Sequence, residues 1–298
     1  MVRWETFEPK RHGEAVDDLV HRVEQRTGHQ ALTDAKSLGR PVTREYRSIV
    51  GLERGAPIAL LRALWYPGRS DGDEGRWAAE YVSDERVDLL DQCLAVFRSA
   101  LPDSSSHVVW ARLDDVADAL LGMGYVESRR LLCLERTLPV GGDTQVTRLV
   151  SVGTFSRGND ELRWLEVNNR AFSGHPENGA WTLDVVRERM NEPWFDPQGL
   201  LMAWRGDTLL GSCWTRKHDS ECGEIYVLSV DPGSQGMGIG RALLLAGLDD
   251  LHTRQGCTRC ILYVDEANLR AVSLYRDLGF STTLVNRMFE LTPASASE

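Results

Sequence analysis

Tyr226-Val-Leu-Ser-Val-Asp-Pro232, then Gln235-Gly-Met-Gly-Ile-Gly240, then an apolar run from Arg241: this stretch decides how the chain is read. It gives a strand over Glu224–Val230, a glycine-rich loop, and a helix over Gly240–Leu251 with Leu244, Leu248 and Leu251 at i, i+4 and i+7. A glycine loop at a helix N-terminus points several unpaired N–H groups into one cavity, and the helix dipole favours negative charge there. Glycines at 236, 238 and 240 let the backbone approach a ligand closely, and Arg241 adds a positive charge. The arrangement suits a phosphate. The dinucleotide fingerprint is excluded because its Gly-x-Gly-x-x-Gly spacing is absent, and a P-loop is excluded because no Gly-Lys-Ser/Thr follows.

Working outward, Ile261–Val264 reads as a buried strand and Asn268–Leu278 as a helix, followed by Gly279-Phe280 and a strand near Val285–Phe289. Upstream, Leu162–Phe172 and Leu183–Met190 read as helices, and Leu200–Trp204 and Leu209–Thr215 as a hairpin around Arg205-Gly-Asp207. The N-terminal half ends in the same manner: a helix over Val116–Leu121, then Met123-Gly124-Tyr125, then a strand near Leu131–Leu134. A helix stopped by glycine with an aromatic on the returning strand thus occurs twice, which points to a duplicated α+β unit. The turn-rich segment Thr137–Thr144 marks the boundary, giving units 1–140 and 141–298, each expected to hold a mixed, mostly antiparallel sheet flanked by helices.

Composition narrows the function. Hydrophobic residues at 42% and charged residues at 26% are the balance of a globular protein. The formal net charge of −10 argues against nucleic acid or an anionic membrane as partner, so an anionic ligand must be held by local groups. No apolar run approaches the roughly 18 residues of a membrane span and Met1–Pro9 has no signal-like segment, so a cytoplasmic protein is expected. The six cysteines read as free thiols; Cys257-Thr-Arg-Cys260 has metal spacing but no second pair, so no metal is expected. No oligomeric state is implied.

Gln235-Gly-Met-Gly238-Ile-Gly240 resembles the acetyl-CoA loop of the GNAT acetyltransferases, Gln/Arg-x-x-Gly-x-Gly/Ala. Within that family, Val167–Trp181, Trp194-Phe-Asp-Pro197, Gly223–Pro232 and Tyr263-Val-Asp-Glu-Ala-Asn268 look like members that acetylate a cysteinyl glucosaminyl-inositol, and the likeness spans most of residues 160–290. The resemblance implies two tandem GNAT-like units, acetyl-CoA as cosubstrate and a small-molecule amine as acceptor. It implies that Leu228, Ser229 and Val230 offer main-chain groups to the acetyl and pantetheine portion. Gln235, Gly236, Met237, Gly238, Ile239, Gly240 and Arg241 would cradle the pyrophosphate, and Asn268, Leu269, Arg270, Ala271, Val272 and Ser273 would line the far side. Glu224 would be general base and Tyr275 general acid, with Glu177, Arg216, Glu224 and Tyr263 contacting the acceptor.

The chemistry agrees: an ammonium must lose a proton before it attacks a thioester, and the departing thiolate must gain one. Other acceptors (an aminoglycoside, an amino acid or a peptide N-terminus) and a CoA-binding sensor without turnover remain open at this point. Where those family members carry a lysine after the Trp-Thr pair, this chain has Trp214-Thr215-Arg216-Lys217. Glu224 also suits a solvated strand end, Tyr275 a core position beside Val272 and Leu278, Asn268 a helix cap, and His218 a charged turn. No glycine lies between Gly75 and Gly122, and Tyr81-Val-Ser-Asp-Glu85 is acidic, so the N-terminal unit reads as a degenerate copy that shapes the acceptor cleft.

Overall fold

The computed structural model describes residues 1–28, 31–32, 46–66, 75–101, 106–141, 150–173 and 181–291. By compactness the chain forms two units, one of Met1–Leu131 with Leu284–Glu298 and one of Leu132–Thr283.

In the first unit, β1 (Arg3–Thr6), α1 (Pro9–Thr27), β2 (Tyr46–Glu53), β3 (Ala56–Tyr66), β4 (Arg76–Ser83), α2 (Leu90–Ser99), β5 (Ser106–Ala111) and α3 (Asp114–Gly122) follow in order. Strands β1 to β4 pair antiparallel in sequence and β4 pairs parallel with β5. Alternation along β2 and β3 sorts the core: Val50 and Leu60 pack with Val16, Leu19 and Val23 of α1, while Ile49 and Leu61 pack with Leu90, Leu94 and Phe97 of α2.

The second unit repeats that plan with β7 (Ser151–Thr154), α4 (Glu161–Ala171), α5 (Leu183–Met190), β8 (Leu200–Arg205), β9 (Thr208–Lys217), β10 (Cys222–Val230), α6 (Ile239–Thr253), β11 (Arg259–Asp265) and α7 (Leu269–Asp277). Again the first four strands pair antiparallel in sequence and the fourth pairs parallel with the fifth. Trp164 of α4 donates its indole N–H to Ser212 Oγ at 2.9 Å, whereas Gly247 of α6 lies against Cys213, so the two helices cover opposite faces of β9. Both units are mixed sheets flanked by helices, as expected.

The last strands depart from a simple tandem. Strand β6 (Tyr125–Thr137) starts in the first unit and ends in the second, beside β11, while β12 (Ser281–Leu291) does the reverse, its end pairing antiparallel with β5 from Arg287↔Ala111 to Glu290↔Val108. The compact units therefore divide at 131/132 and 283/284, inside strands, rather than at 140/141 in the turn-rich segment. The duplicated helix ends are present: Gly124 (φ 84°) and Gly279 (φ 80°) follow α3 and α7, and buried Tyr125 and Phe280 come next.

Candidate active site

The site begins where two strands part. Parallel pairing of β10 with β11 runs through Cys222↔Arg259, Gly223↔Cys260 and Glu224↔Ile261 and then stops, although β10 continues to Val230 and β11 to Asp265. On its other edge β10 stays paired with β9, with a bulge at Tyr226 where the register shifts between Ile225↔Thr215 and Val227↔Trp214. An extra residue bends and twists a strand locally, which turns β10 away from β11. The fork exposes one edge of the Leu228–Val230 main chain. Ser229 contributes no side chain to it: its hydroxyl is buried 2.9 Å from Ser212 Oγ.

At the end of β10, Asp231 organises the loop. Its Oδ1 accepts from Gly233 N–H at 3.0 Å and its Oδ2 from Arg170 Nε at 2.8 Å. Gly236 (φ 82°) and Gly238 (φ 77°) then adopt left-handed backbone, which other residues reach only at a cost of about 1–2 kcal/mol. Helix α6 starts at Ile239 with no side-chain cap. Its first internal bond is Ala242 N–H to Gly238 O at 3.0 Å, and among the described residues no protein acceptor takes the amides of Gly238, Ile239, Gly240 or Arg241. The first N–H groups of a helix have no intrahelical partner, and here they follow two left-handed glycines on a largely exposed turn, which is the geometry of an anion-binding nest.

Helix α7 flanks the nest. Arg270 Nη1 donates to Gln235 Oε1 at 2.8 Å, and Leu274 Cδ2 stands 4.0 Å from where a Cβ on Gly240 would lie. Asn268 caps α7, its Oδ1 accepting from Ala271 N–H at 3.2 Å. Met237 and Leu269 are apolar yet 37% and 75% exposed, and Ser273 is exposed, whereas Val272 is buried in the core. Within the 268–273 segment, therefore, Val272 has an inward side chain.

Glu224 and Arg216 are cross-strand partners, so they share a face, and it is the face of Trp214 rather than of α6. Both are buried, at 6% exposure. The Arg216 guanidinium lies 4.6 Å from the Trp194 ring centroid and 5.9 Å from that of Tyr226. Lys217 points the other way and is tied to the Gln255 carbonyl at the end of α6. Of the two cations Arg216 therefore stands beside Glu224. Tyr263 alternates with buried Leu262 and Val264 and shares Glu224's face through the Glu224↔Ile261 register. Glu177 lies outside the described residues.

Tyr275 approaches from the opposite side. It is buried against Phe280 at 5.9 Å, and burial, then the Cys213 and Cys260 thiols, push its phenol pKa up, so it stays protonated. Cys213 and Cys260 belong to the α6 face, so Glu224 and Tyr275 sit on opposite faces of the sheet. Cys260 is fully buried with its thiol pKa raised by burial, and Cys257 is also buried, which leaves that pair as core thiols.

The residue that the charged run concealed is His218: its ring is 2.7 Å from Glu224 Oε2, with only 12% of the side chain exposed. Alternation could have found it, because 218 continues the 214–216 face.

The first unit repeats the position of the carboxylate with different surroundings. Glu80 is the last β4 residue paired with β5 (Glu80↔Trp110) and the partner of Arg62 on β3. Its oxygens are held by Arg62 at 2.6 Å and Arg112 at 3.2 Å. After it come Asp84, which faces Arg22 and Arg26, and Glu85.

A strand fork beside a glycine-lined helix start is the GNAT arrangement, and the sequence profile of the acetyltransferase (GNAT) family matches residues 162–280. The chain belongs to that family. Among curated relatives, the mycothiol acetyltransferase of Acidimicrobium ferrooxidans is 38% identical over 290 residues, covering 88% of each chain. That of Thermomonospora curvata is 46% identical over 189 residues, 62% of this chain and 63% of the relative, so the match spans just under two thirds of that relative's length. A solved tandem GNAT protein from the clavulanic acid biosynthesis pathway has the same fold, with a TM-score of 0.73 at 15% identity over 99% of this chain and all (100%) of that one.

Proposed function

We propose that this protein transfers the acetyl group of acetyl-CoA to the amine of a cysteinyl glucosaminyl-inositol, the acceptor of a mycothiol acetyltransferase. The observation that carries the coenzyme half of this reading is the set of amides at Gly238–Arg241 with no protein acceptor among the described residues. They suit the diphosphate of CoA, with Gln235, Gly236 and Met237 completing the cradle. Met237 and Leu269 offer apolar surface, and the exposed edge of Leu228–Val230 is shaped to pair with an amide-containing arm such as pantetheine. The relatives carry the acceptor half.

In the reaction, Glu224 removes a proton from the acceptor ammonium, directly or through water. The freed amine attacks the thioester carbon, and main-chain N–H groups at Leu228–Val230 stabilise the oxyanion. As the C–S bond breaks, Tyr275 donates its proton to the thiolate. The fork is what lets base and acid act on one carbon from opposite faces. Arg216 and Tyr263 contact the acceptor beside Glu224, as does Glu177. No step needs a metal.

The first unit takes no part in the chemistry: two arginines neutralise Glu80, and the turn after β4 is acidic where the second unit is glycine-rich. We place the reaction in the cytoplasm, where six unpaired thiols are at home. Among the described residues no helix is long and apolar enough to cross a membrane.

The test is to incubate the purified protein with acetyl-CoA and the cysteinyl glucosaminyl-inositol, following free CoA and acceptor mass. One acetyl added per CoA released is expected. CoA release only with some other amine in a panel would remove the acceptor assignment, and no release with any amine would remove the enzymatic one.

A further inference from the structure

We propose that His218 is a positioning residue for the acetyl transfer, fixing one oxygen of the Glu224 carboxylate so that the other faces the acceptor amine. This rests on Glu224 being the base.

The turn leaving β9 is built to place His218. Asp219 Oδ1 accepts from both Glu221 N–H at 2.8 Å and Cys222 N–H at 2.7 Å, and His218 N–H donates to Cys222 O at 2.9 Å. That closes the β9–β10 hairpin with 218 opposite 222. Glu224 is two residues further along β10, so it lies diagonally across from His218 on the same face, within reach of a long side chain.

The carboxylate's two oxygens then differ. A carboxylate only accepts, so the imidazole Nε2–H donates to Oε2 at 2.7 Å. Oε1 has no protein partner among the described residues. A buried carboxylate with no hydrogen bond at all is costly, and a single-bonded carboxylate can still swing about its side chain. Here the imidazole supplies the bond and fixes the swing, leaving Oε1 as the basic atom. The guanidinium of the neighbouring Arg216 lies against the Trp194 and Tyr226 rings, and the hydrogen bond to Glu224 Oε2 comes from His218.

Three variants separate positioning from packing. His218→Phe keeps the ring's bulk without a donor; His218→Gln keeps an N–H near the place of Nε2; His218→Asn keeps an N–H that is too short to reach. Calorimetry with acetyl-CoA checks that each is folded. The expected result is a kcat lower by about 10- to 100-fold for His218→Phe and His218→Asn, the range that misplacing a reacting group produces. KM for both substrates should stay within about twofold, a split that loss of packing does not give. His218→Gln should recover most of the rate. In a Glu224→Gln background, His218→Phe should cost nothing further, because the two act as a unit.

A fully active His218→Phe beside an inactive Glu224→Gln would overturn the role of His218 alone. So would equal losses in the Gln and Asn variants, which still decides the matter if the Phe variant fails to fold. Glu224→Gln at the wild-type rate would overturn the base assignment, and this inference with it.

Discussion

Glu224 owes its place to its position on β10: it is the last residue paired with β11, so it is anchored on both edges while the chain beyond it is free on one. Replacing it by glutamine keeps the size and removes the basic lone pair. The kcat of Glu224→Gln should fall by about 10²–10⁴-fold, with acetyl-CoA affinity unchanged, as a titration and a rate assay would show. Equal losses in affinity and rate would indicate a structural role instead. Individual residues were partly legible in the sequence. The glycine turn at Gly236 and Gly238 ahead of a helix was, because glycine spacing is a local property. The choice between Arg216 and Lys217 was not, because it depends on which face each takes, and the hairpin register sets that.

Among elements, α6 was read within two residues of its bounds because its buried leucines recur at the helical period. The helices and strands from Glu161 to Leu291 agree with the expected ones within a few residues: the helices carry buried residues at the helical period, while β8 to β10 are short apolar runs, β9 being covered on both faces. The bulge at Tyr226 gave no comparable signal, since an aromatic is an ordinary strand residue. The glycine loop carries the element-scale prediction. Gly238→Ala puts a Cβ on a left-handed residue beside the nest, and the free loop relieves the strain by leaving that conformation, so acetyl-CoA should bind about 5- to 30-fold more weakly, equivalent to the roughly 1–2 kcal/mol of that strain. Calorimetric affinity equal to wild type would show that the nest does not hold the ligand.

At the scale of the whole molecule, duplication was visible in the repeated helix–glycine–aromatic endings, but the exchange of last strands was not. Composition marks where a chain is turn-rich; it does not say which unit a strand belongs to, and β6 and β12 each have residues in both. The first unit holds a half-buried histidine that couples its stability to pH. This residue, His107, is hydrogen-bonded to Tyr125 Oη at 2.7 Å, and burial, then Arg98, lower its pKa from 6.5 to about 4. The folded state thus resists protonation that the unfolded chain accepts. The stability involved is complete above pH 6.5 and is lost as pH falls toward 4. The thermal midpoint should therefore drop between these limits, and drop less in His107→Gln; identical pH dependence in both proteins would contradict this.

The central claim is that the main chain around Gly236–Arg241 grips the diphosphate of acetyl-CoA. Amide hydrogen exchange of the intact protein, with and without acetyl-CoA, tests it most directly. Strong slowing is expected, confined to residues 236–241 and the facing edge of 228–230. Unchanged exchange there at saturating acetyl-CoA would contradict it.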